Sequence, residues 1–402
     1  MDIDTDELKT YAPIIPYVKK FYKDKIHIIR ETNNVAFAPC IWHSEKTASL
    51  AFFTNGSYKC FGCGEHGDII TLVQNIESLG FQEACKMIGD NVGYDIVLEE
   101  PNPLFESYKD TLDNYTRRYW SNLQHNGDAL RYLLCERGIS KEMIDLFRLG
   151  YTDSEEYKYR SDMGGISNKI VFPILEHKRK NPKCVGMAYR GLTDEKPKYI
   201  NDVNQDGREG QNPQLAGVFI KGDLLYGLPM AYKSIGKNNH LILVEGYLDV
   251  ISMHQSGICN TVGSMGTSIT ENQIKAICNI TNNVLLFLDS DKAGTSAMLK
   301  VIKDLYETGI NVAICLLENN MDPADLCKSL NFDNYAISSV IKAHTKQGIE
   351  LVVNNAVERY ENIATIERTK ALRTAMPIID SVKDSAIREL YKSKLLKRLD
   401  IK

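Results

Sequence analysis

The chain has no apolar run approaching the roughly 18 residues that a membrane-spanning helix needs. Its first ten residues, MDIDTDELKT, are acidic and polar, with neither the basic start nor the apolar stretch of a secretory signal. The expectation is a cytoplasmic protein with no membrane partner. Fixed-period repeats and low-complexity tracts are also missing. No GxxxxGK[ST] occurs, which argues against a fused P-loop ATPase. Positive charge is not in excess: 48 Lys and Arg face 52 Asp and Glu, a net charge of -4. Affinity for a polyanion would have to come from local basic patches. The ten cysteines form no disulfide framework. They are scattered except for one cluster, the pattern of reduced thiols and a metal site.

What is present fits a soluble protein of two or three domains: 402 residues, 43% hydrophobic and 25% charged. The most informative stretch runs from Leu241 to Ala297. Apolar runs of strand length alternate there with helical patterns, as buried parallel strands in βαβ units do. Each run ends in polar residues. Leu241 to Val244 leads to Glu245, with Asp249 one turn on; Ile258 to Val262 leads to Gly263 and Ser264. Val284 to Leu288 leads to Asp289 and Asp291, and Val312 to Leu317 points towards Asp322 and Asp325. Ligands bind open parallel sheets at the carboxyl ends of the strands, so these carboxylates would crowd one edge. Like charges at that spacing need a cation, and a hard divalent ion with oxygen ligands, Mg2+ or Mn2+, suits them. Gly263 to Thr267 (GSMGT) either brings backbone N–H groups to a phosphate or simply lets the chain turn.

A second constellation lies near the start. Cys40 and His43 form a CxxH pair, Cys60 and Cys63 a CxxC pair, with sixteen residues between His43 and Cys60. Two such turns point four side chains at one tetrahedral ion, and four filled positions make a closed, structural Zn2+ site. His66 is expected to be a surface or loop residue and not a fifth ligand. Ser49 to Thr54 and Gly56 to Phe61 predict a hairpin turning at Thr54, Asn55 and Gly56. Its aromatics look exposed, and from Tyr11 to Cys63 six lysines and Arg30 face only Asp24, Glu31 and Glu45. Aromatic faces beside basic groups suit single-stranded nucleic acid; for any single ring, a place in the small domain's core is the better expectation.

Leu98 to Asp110 carries two prolines, Asn102 and acidic charge, and reads as a linker. Tyr115 to Leu123 and Asp128 to Leu134 have helical periodicity, and Gly138 marks a turn before a further amphipathic helix. Ile170 to Leu175 reads as a strand containing Pro173. Lys178 to Lys198 holds seven basic residues against Asp194 and Glu195. Asn334 to Lys402 is helical and charged.

Two of these constellations resemble one family. Glu245-Gly246-Tyr247-Leu248-Asp249, followed by Asp289-Ser290-Asp291 ahead of Ala293-Gly294, resembles the Toprim signature of bacterial primases and of type IA and II topoisomerases. Pro39 to Gln74 is similar to the Cys-His-Cys-Cys zinc-binding domain of DnaG-type primases. Ala129 to Tyr151 resembles the YLxxRG and FxLGY segments that open their polymerase core. The resemblance spans roughly residues 10 to 400, with both anchors in the expected order. It implies an α+β and α/β multidomain chain: a zinc-ribbon-like domain over 1–97, a linker over 98–110 and a basic subdomain of the polymerase core over 111–238. A Toprim parallel-sheet domain over 239–330 and a helical subdomain over 331–402 complete it.

The implied activity is that of a DNA primase, which makes short RNA primers on single-stranded DNA from ribonucleoside triphosphates. Under that resemblance Glu245 and Asp249 position metal and nucleotide, and Asp289, Asp291 and Asp322, with Glu245, hold Mg2+ or Mn2+. Arg190, Lys198, Tyr199, Asn201, Lys221 and Tyr226 contact template or nucleotide phosphate. The family often has DPD where this chain has Asp322-Pro323-Ala324-Asp325, so the third carboxylate is missing or displaced by one residue. The sequence ends after the helical region, so the usual helicase-docking module is expected to be absent and a helicase partner would be recruited otherwise. Two alternatives carry weight: a Toprim-type metal-dependent nuclease, and a non-catalytic module that binds single-stranded DNA, for which the altered DPAD and the acidic net charge count.

Overall fold

A computed structural model describes residues 3–45, 47–77, 79–96, 103–154, 166–179, 181–193, 197–202, 218–266, 269–288, 292–317, 321–360 and 365–401. The chain divides into two compact units, Met1–Asn102 with Gly236–Asn239, and Pro103–Ile235 with His240–Lys402.

In the first unit five strands form an antiparallel sheet in chain order: β1 (Arg30–Glu31), β2 (Val35–Ala38), β3 (Leu50–Phe53), β4 (Ser57–Cys60) and β5 (His66–Asp68). The hairpin turn falls at Thr54 to Gly56, as the sequence predicts. Gly56 sits at φ +87°, a left-handed position that costs glycine little, and Asn55 Oδ1 accepts the Ser57 N–H at 3.1 Å. Side chains of a strand alternate between faces. Ala36, Ala38, Leu50, Phe52, Tyr58 and Cys60 therefore enter a core shared with the helices Thr5–Tyr11, Ile14–Phe21, Ile69–Glu77 and Phe81–Val92. Two of the hairpin aromatics are thus core residues and not exposed, Phe52 at 0% and Tyr58 at 1%. Phe61 stays outside.

The second unit opens with a helix, Pro103–Gln124. Residues 103–110 are therefore its first turns and not linker. Proline is favoured at the first position of a helix because that N–H has no intrahelical partner in any case. This helix lies against an antiparallel sheet of β6 (Gly150–Tyr151), β7 (Lys169–Leu175), β8 (Cys184–Gly191) and β9 (Ile200–Asn201), in that order. β6 pairs only with Ile170 and Val171, so Pro173 falls past its end, where a missing N–H costs little. Asp202 pins β9 to β8: its carboxylate accepts the Met187 N–H at 3.0 Å and the Tyr189 hydroxyl at 3.2 Å.

The other sheet has the order β11-β10-β12-β13-β14. β10 (Leu241–Val244), β11 (Thr261–Gly263), β12 (Asn283–Leu286) and β13 (Asn311–Cys315) are parallel, and β14 (Thr345–Gln347) is antiparallel to β13. Ile242, Val244 and Leu285 belong to one core, Leu241, Leu243, Val284 and Leu286 to a second. Both faces are covered, which is why these strands read as unbroken apolar runs. The strand after β10 adds on one side and the next on the other, so β10 and β12 flank the switch point where such sheets open a crevice. The helices Gly348–Tyr360, Thr365–Asp380 and Ser385–Arg398 cover the second core.

Helix and sheet approach closely at Gly150, where an added Cβ would lie 2.5 Å from Tyr119 Cβ and 2.8 Å from its carbonyl carbon. Gly150→Ala is expected to lower the unfolding free energy by about 1–3 kcal/mol. Chemical denaturation checks this, and an unchanged midpoint would contradict the packing of β6 on the helix.

Candidate metal centre and active site

Cys40, His43, Cys60 and Cys63 converge in the first unit, their ligand atoms all within 4.8 Å of one another. Cys40 Sγ to Cys63 Sγ and Cys60 Sγ to His43 Nδ1 are each 3.7 Å. A tetrahedron with arms of ~2.3 Å has edges of about 3.7 Å, so these two donor separations match a zinc site and the others lie within 4.8 Å. The backbone N–H of Trp42 points at Cys40 Sγ and that of Cys63 at Cys60 Sγ, both at 3.4 Å, as donors to thiolates do. Burial pushes the Cys40 thiol up to about 12 and raises Cys63. Ligation therefore requires a cation that displaces these protons. His66 is on β5, its Nδ1 3.1 Å from the Gly64 carbonyl, and is not among the four.

The outer face of the same sheet carries one row across all five strands: Arg30, Phe37, Ala51, Lys59 and His66. The Arg30 guanidinium lies over the Phe37 ring at 4.4 Å, and Lys59 Nζ is 5.8 Å from the exposed Phe61 ring.

In the second unit the carboxyl end of β10 opens into a cavity of about 330 Å³. Glu245, Asp249 and Asp322 stand on its lining, with Arg137, Arg190, Lys198, Tyr199 and Asn201. Of the residues singled out in the sequence, seven are thus brought together. Lys221 is not on the lining, although its Nζ would lie 4.0 Å from a Cβ added to Gly266, which is. Burial lowers the pKa of the Lys221 ammonium. Tyr226 is displaced from its expected role: it is 2% exposed and supports the cavity from behind, edge-on to Tyr247 at 4.8 Å between centroids. Asp289 and Asp291 lie outside the described residues, as does Thr267; β12, which leads to the two aspartates, ends beside β10.

Asp322 and Asp249 each have their own anchorage. Asp322 caps the helix Pro323–Ser329, one oxygen accepting the Asp325 N–H at 2.7 Å. Asp325 itself is exposed and off the cavity, and Ala324 occupies the lining beside Asp322. The turn thus supplies one carboxylate to the cavity. Asp249, 9% exposed, accepts the Gly246 N–H at 2.9 Å through one oxygen and the Ala324 N–H at 3.2 Å through the other. It ties the loop after β10 to the Asp322 turn.

The cationic side is built by aromatic packing. Arg190, on β8 and 6% exposed, donates to the Tyr199 hydroxyl at 2.9 Å. Burial pushes the Tyr199 phenol up to about 12, so it stays protonated at neutral pH. Tyr247 donates to Asn201 Oδ1 at 2.6 Å. Arg137 was not singled out from the sequence. A π-helical turn, Tyr132–Glu136, sets its Nε 2.9 Å from the Tyr132 hydroxyl, and its guanidinium 5.2 Å from the same ring, which Arg190 approaches at 5.9 Å. The signal available was the Arg137-Gly138 pair closing a helix; nothing in the pattern tells a π turn from an α turn. Met265, with φ +61°, and Leu248 complete an apolar part of the lining.

Comparison with known proteins follows the same division. Residues 4–103 match the CHC2 zinc finger family and residues 242–327 the Toprim-like family. The DNA primase of Clostridium acetobutylicum is 31% identical over 338 residues, covering 76% of this chain and 54% of that protein. The chain is a homologue of the DnaG-type primases. The DNA primase of Helicobacter pylori (strain 26695) is 30% identical over 372 residues, 86% of this chain and 63% of its own length. The chain therefore spans little more than half the length of these curated relatives. The crystal structure of the Aquifex aeolicus primase, comprising zinc-binding and RNA polymerase domains, matches with 25% identity and a TM-score of 0.60. The match covers 100% of this chain and 98% of that one. A DnaG primase catalytic domain bound to single-stranded DNA shares the fold at 23% identity and a TM-score of 0.62, covering 74% of this chain and 96% of that one. The zinc-finger match and the donor geometry together assign zinc to the Cys-His-Cys-Cys cluster, and a Toprim-like domain implies a divalent cation at the carboxylates. No helix among the described residues is long and apolar enough to cross a membrane.

Two outcomes follow from this geometry. Chelation of the zinc is expected to make Cys40, Cys60 and Cys63 reactive to a thiol reagent and to unfold the sheet they close, read by thiol titration and circular dichroism. For the tie, a hydrogen bond to a charged acceptor is worth about 1.5–3 kcal/mol, so Asp249→Asn should speed amide exchange at Ala324 by about tenfold to a hundredfold. Unchanged exchange at Ala324 would remove the tie.

Proposed function

We propose that this chain makes RNA primers on single-stranded DNA, joining ribonucleoside triphosphates by attack of a 3′-hydroxyl on an α-phosphate with loss of pyrophosphate. One observation carries the reading: carboxylates and fixed guanidinium groups face the same cavity at the carboxyl end of a Toprim-like sheet. Carboxylates alone would suit metal-dependent cutting as well. Cations opposite them suit a triphosphate, whose charge they neutralise without base preference. The relatives named DNA primase and the zinc finger preceding the Toprim-like region support the same choice.

In this reading Glu245, Asp322 and, through the DxD, Asp289 and Asp291 hold Mg2+ or Mn2+. When bound, such an ion lowers the pKa of the attacking hydroxyl and offsets charge on the phosphates. Arg190, Arg137 and Lys198 bind the triphosphate and hold its α-phosphate in line with the primer end. Arg190 suits this because Tyr199 and Tyr132 restrict its guanidinium before substrate arrives. Asp249 acts by holding two carboxylate-bearing segments together, and Lys221 and Asn201 border the site. Lys198, exposed, steers template or nucleotide. The outer row of the zinc-bearing sheet, with its arginine, lysine and aromatic rings, receives the unpaired template. A replicative helicase, or another protein that recruits the chain to DNA, is the proposed protein partner. The domain division follows the two units, with the polymerase core starting at Pro103.

The test is incorporation of labelled ribonucleotides on single-stranded DNA with Mg2+ or Mn2+. Short RNA products are expected, and Asp289→Asn with Asp291→Asn should abolish them. Arg190→Ala should cost about 10²–10³ in rate, the scale of removing one preorganised electrostatic contact. DNA cleavage without RNA synthesis would replace this reading by that of a Toprim nuclease, and binding without either reaction by that of a non-catalytic module.

A further inference from the structure

The zinc centre has a polar partner that its ligand spacing does not reveal. Glu45, whose side chain is 11% exposed, is held from both sides of the CxxH turn. One oxygen accepts the backbone N–H of Cys40 at 2.7 Å and that of Ser49 at 3.0 Å. The other accepts the Ser49 hydroxyl, which itself lies 3.2 Å from Cys60 Sγ, and is 3.1 Å from His43 Nε2. The opposite ring nitrogen of His43, Nδ1, faces Cys60 Sγ at 3.7 Å. The space beside the ring is reserved as well: a Cβ on Gly62 would lie 2.4 Å from His43 Nε2 and 2.7 Å from Cε1.

A neutral imidazole carries one N–H, and the group that accepts it decides which nitrogen is left for a metal. We infer that Glu45 is the positioning carboxylate of the zinc centre: it accepts the Nε2 proton of His43, leaves Nδ1 as the zinc ligand and fixes the plane of the ring. The spacing of its anchors explains the choice of glutamate. Cys40 and Ser49 clamp the carboxylate while Gly62 keeps the ring against it, so orientation is set before metal arrives. The inference concerns zinc alone and does not depend on primer synthesis, so it is tested on the full chain without nucleotide or DNA.

The test is a double-mutant cycle on zinc affinity, measured by competition with a chromophoric chelator, with Co2+ absorption reporting the ligand set. Glu45→Gln keeps the size and one acceptor oxygen but can turn an amide N–H towards His43. It is expected to weaken zinc binding by about 10- to 100-fold. In the His43→Cys background no ring has to be oriented, and Glu45→Gln should change affinity by no more than about twofold. Equal losses in both backgrounds would overturn the inference, because Glu45 would then only be anchoring the loop; so would unchanged affinity in the unaltered background. Should Glu45→Gln not fold, Gly62→Ala displaces the ring from Glu45 while sparing both backbone hydrogen bonds. It is expected to weaken zinc to a similar extent, and an unaltered affinity there would likewise overturn the inference.

Discussion

A parallel sheet covered on both faces favours apolar side chains along the middle of its strands, and that constraint decides where polar chemistry sits in this protein. Leu241 and Leu243 face one core, Ile242 and Val244 the other, and the first position free of both is Glu245. β12 obeys the same rule in its alternation. The order β11-β10-β12-β13 then makes the ends of β10 and β12 neighbours at the switch point. Acidic residues gather there because the interior has no place for them. Their mutual repulsion in turn demands cations, whether ions or fixed side chains.

Those fixed side chains come from a different sheet. Arg190 is carried by β8 and Tyr199 precedes β9, and both belong to the antiparallel layer. What unites the two sheets is shared apolar packing: Phe172, Tyr226, Tyr247 and Val244 lie in one core. Tyr247 serves both, edge-on to Tyr226 and hydrogen-bonded to Asn201. A guanidinium set among tyrosines loses little side-chain freedom when it binds an anion, because ring contacts and the Tyr199 hydroxyl already restrict it. Asp249 does for the acidic wall what Tyr199 does for the basic one.

The zinc-bearing unit solves a different problem. Its sheet of short strands has one face buried against four helices, and the four zinc ligands converge where β3 and β4 meet the CxxH turn. That junction is held by a chain of contacts running from Glu45 through His43 and Ser49 to Cys60. The other face carries Arg30, Phe37 and Lys59.

Much of this was legible in the residues. Ligand spacing announced the zinc centre because Cys and His pairs at that distance have few other uses. The apolar runs announced a doubly covered sheet and located its polar ends. Local pattern misread whatever depends on neighbours distant in sequence. The hairpin as a whole looked exposed, although a core place was the better expectation for Phe52 or Tyr58 singly, because strand alternation does not say which face meets helices. Pro103 looked like linker because proline opens helices as readily as it interrupts them. Asp249 lines the cavity, but its hydrogen bonds to Gly246 and to Ala324, 75 residues away, could not be read from local pattern. Arg137 was passed over because its place on the cavity follows from the π turn before it and from packing with Tyr132, neither of which local pattern reveals. By itself, then, the sequence determined what each segment must do with its apolar surface and which residue types bind metal, since both follow from local chemistry. Which acids support and which face the cavity, and which cations meet them, was decided only when two sheets packed on a common core and turned hydrogen-bond partners towards each other.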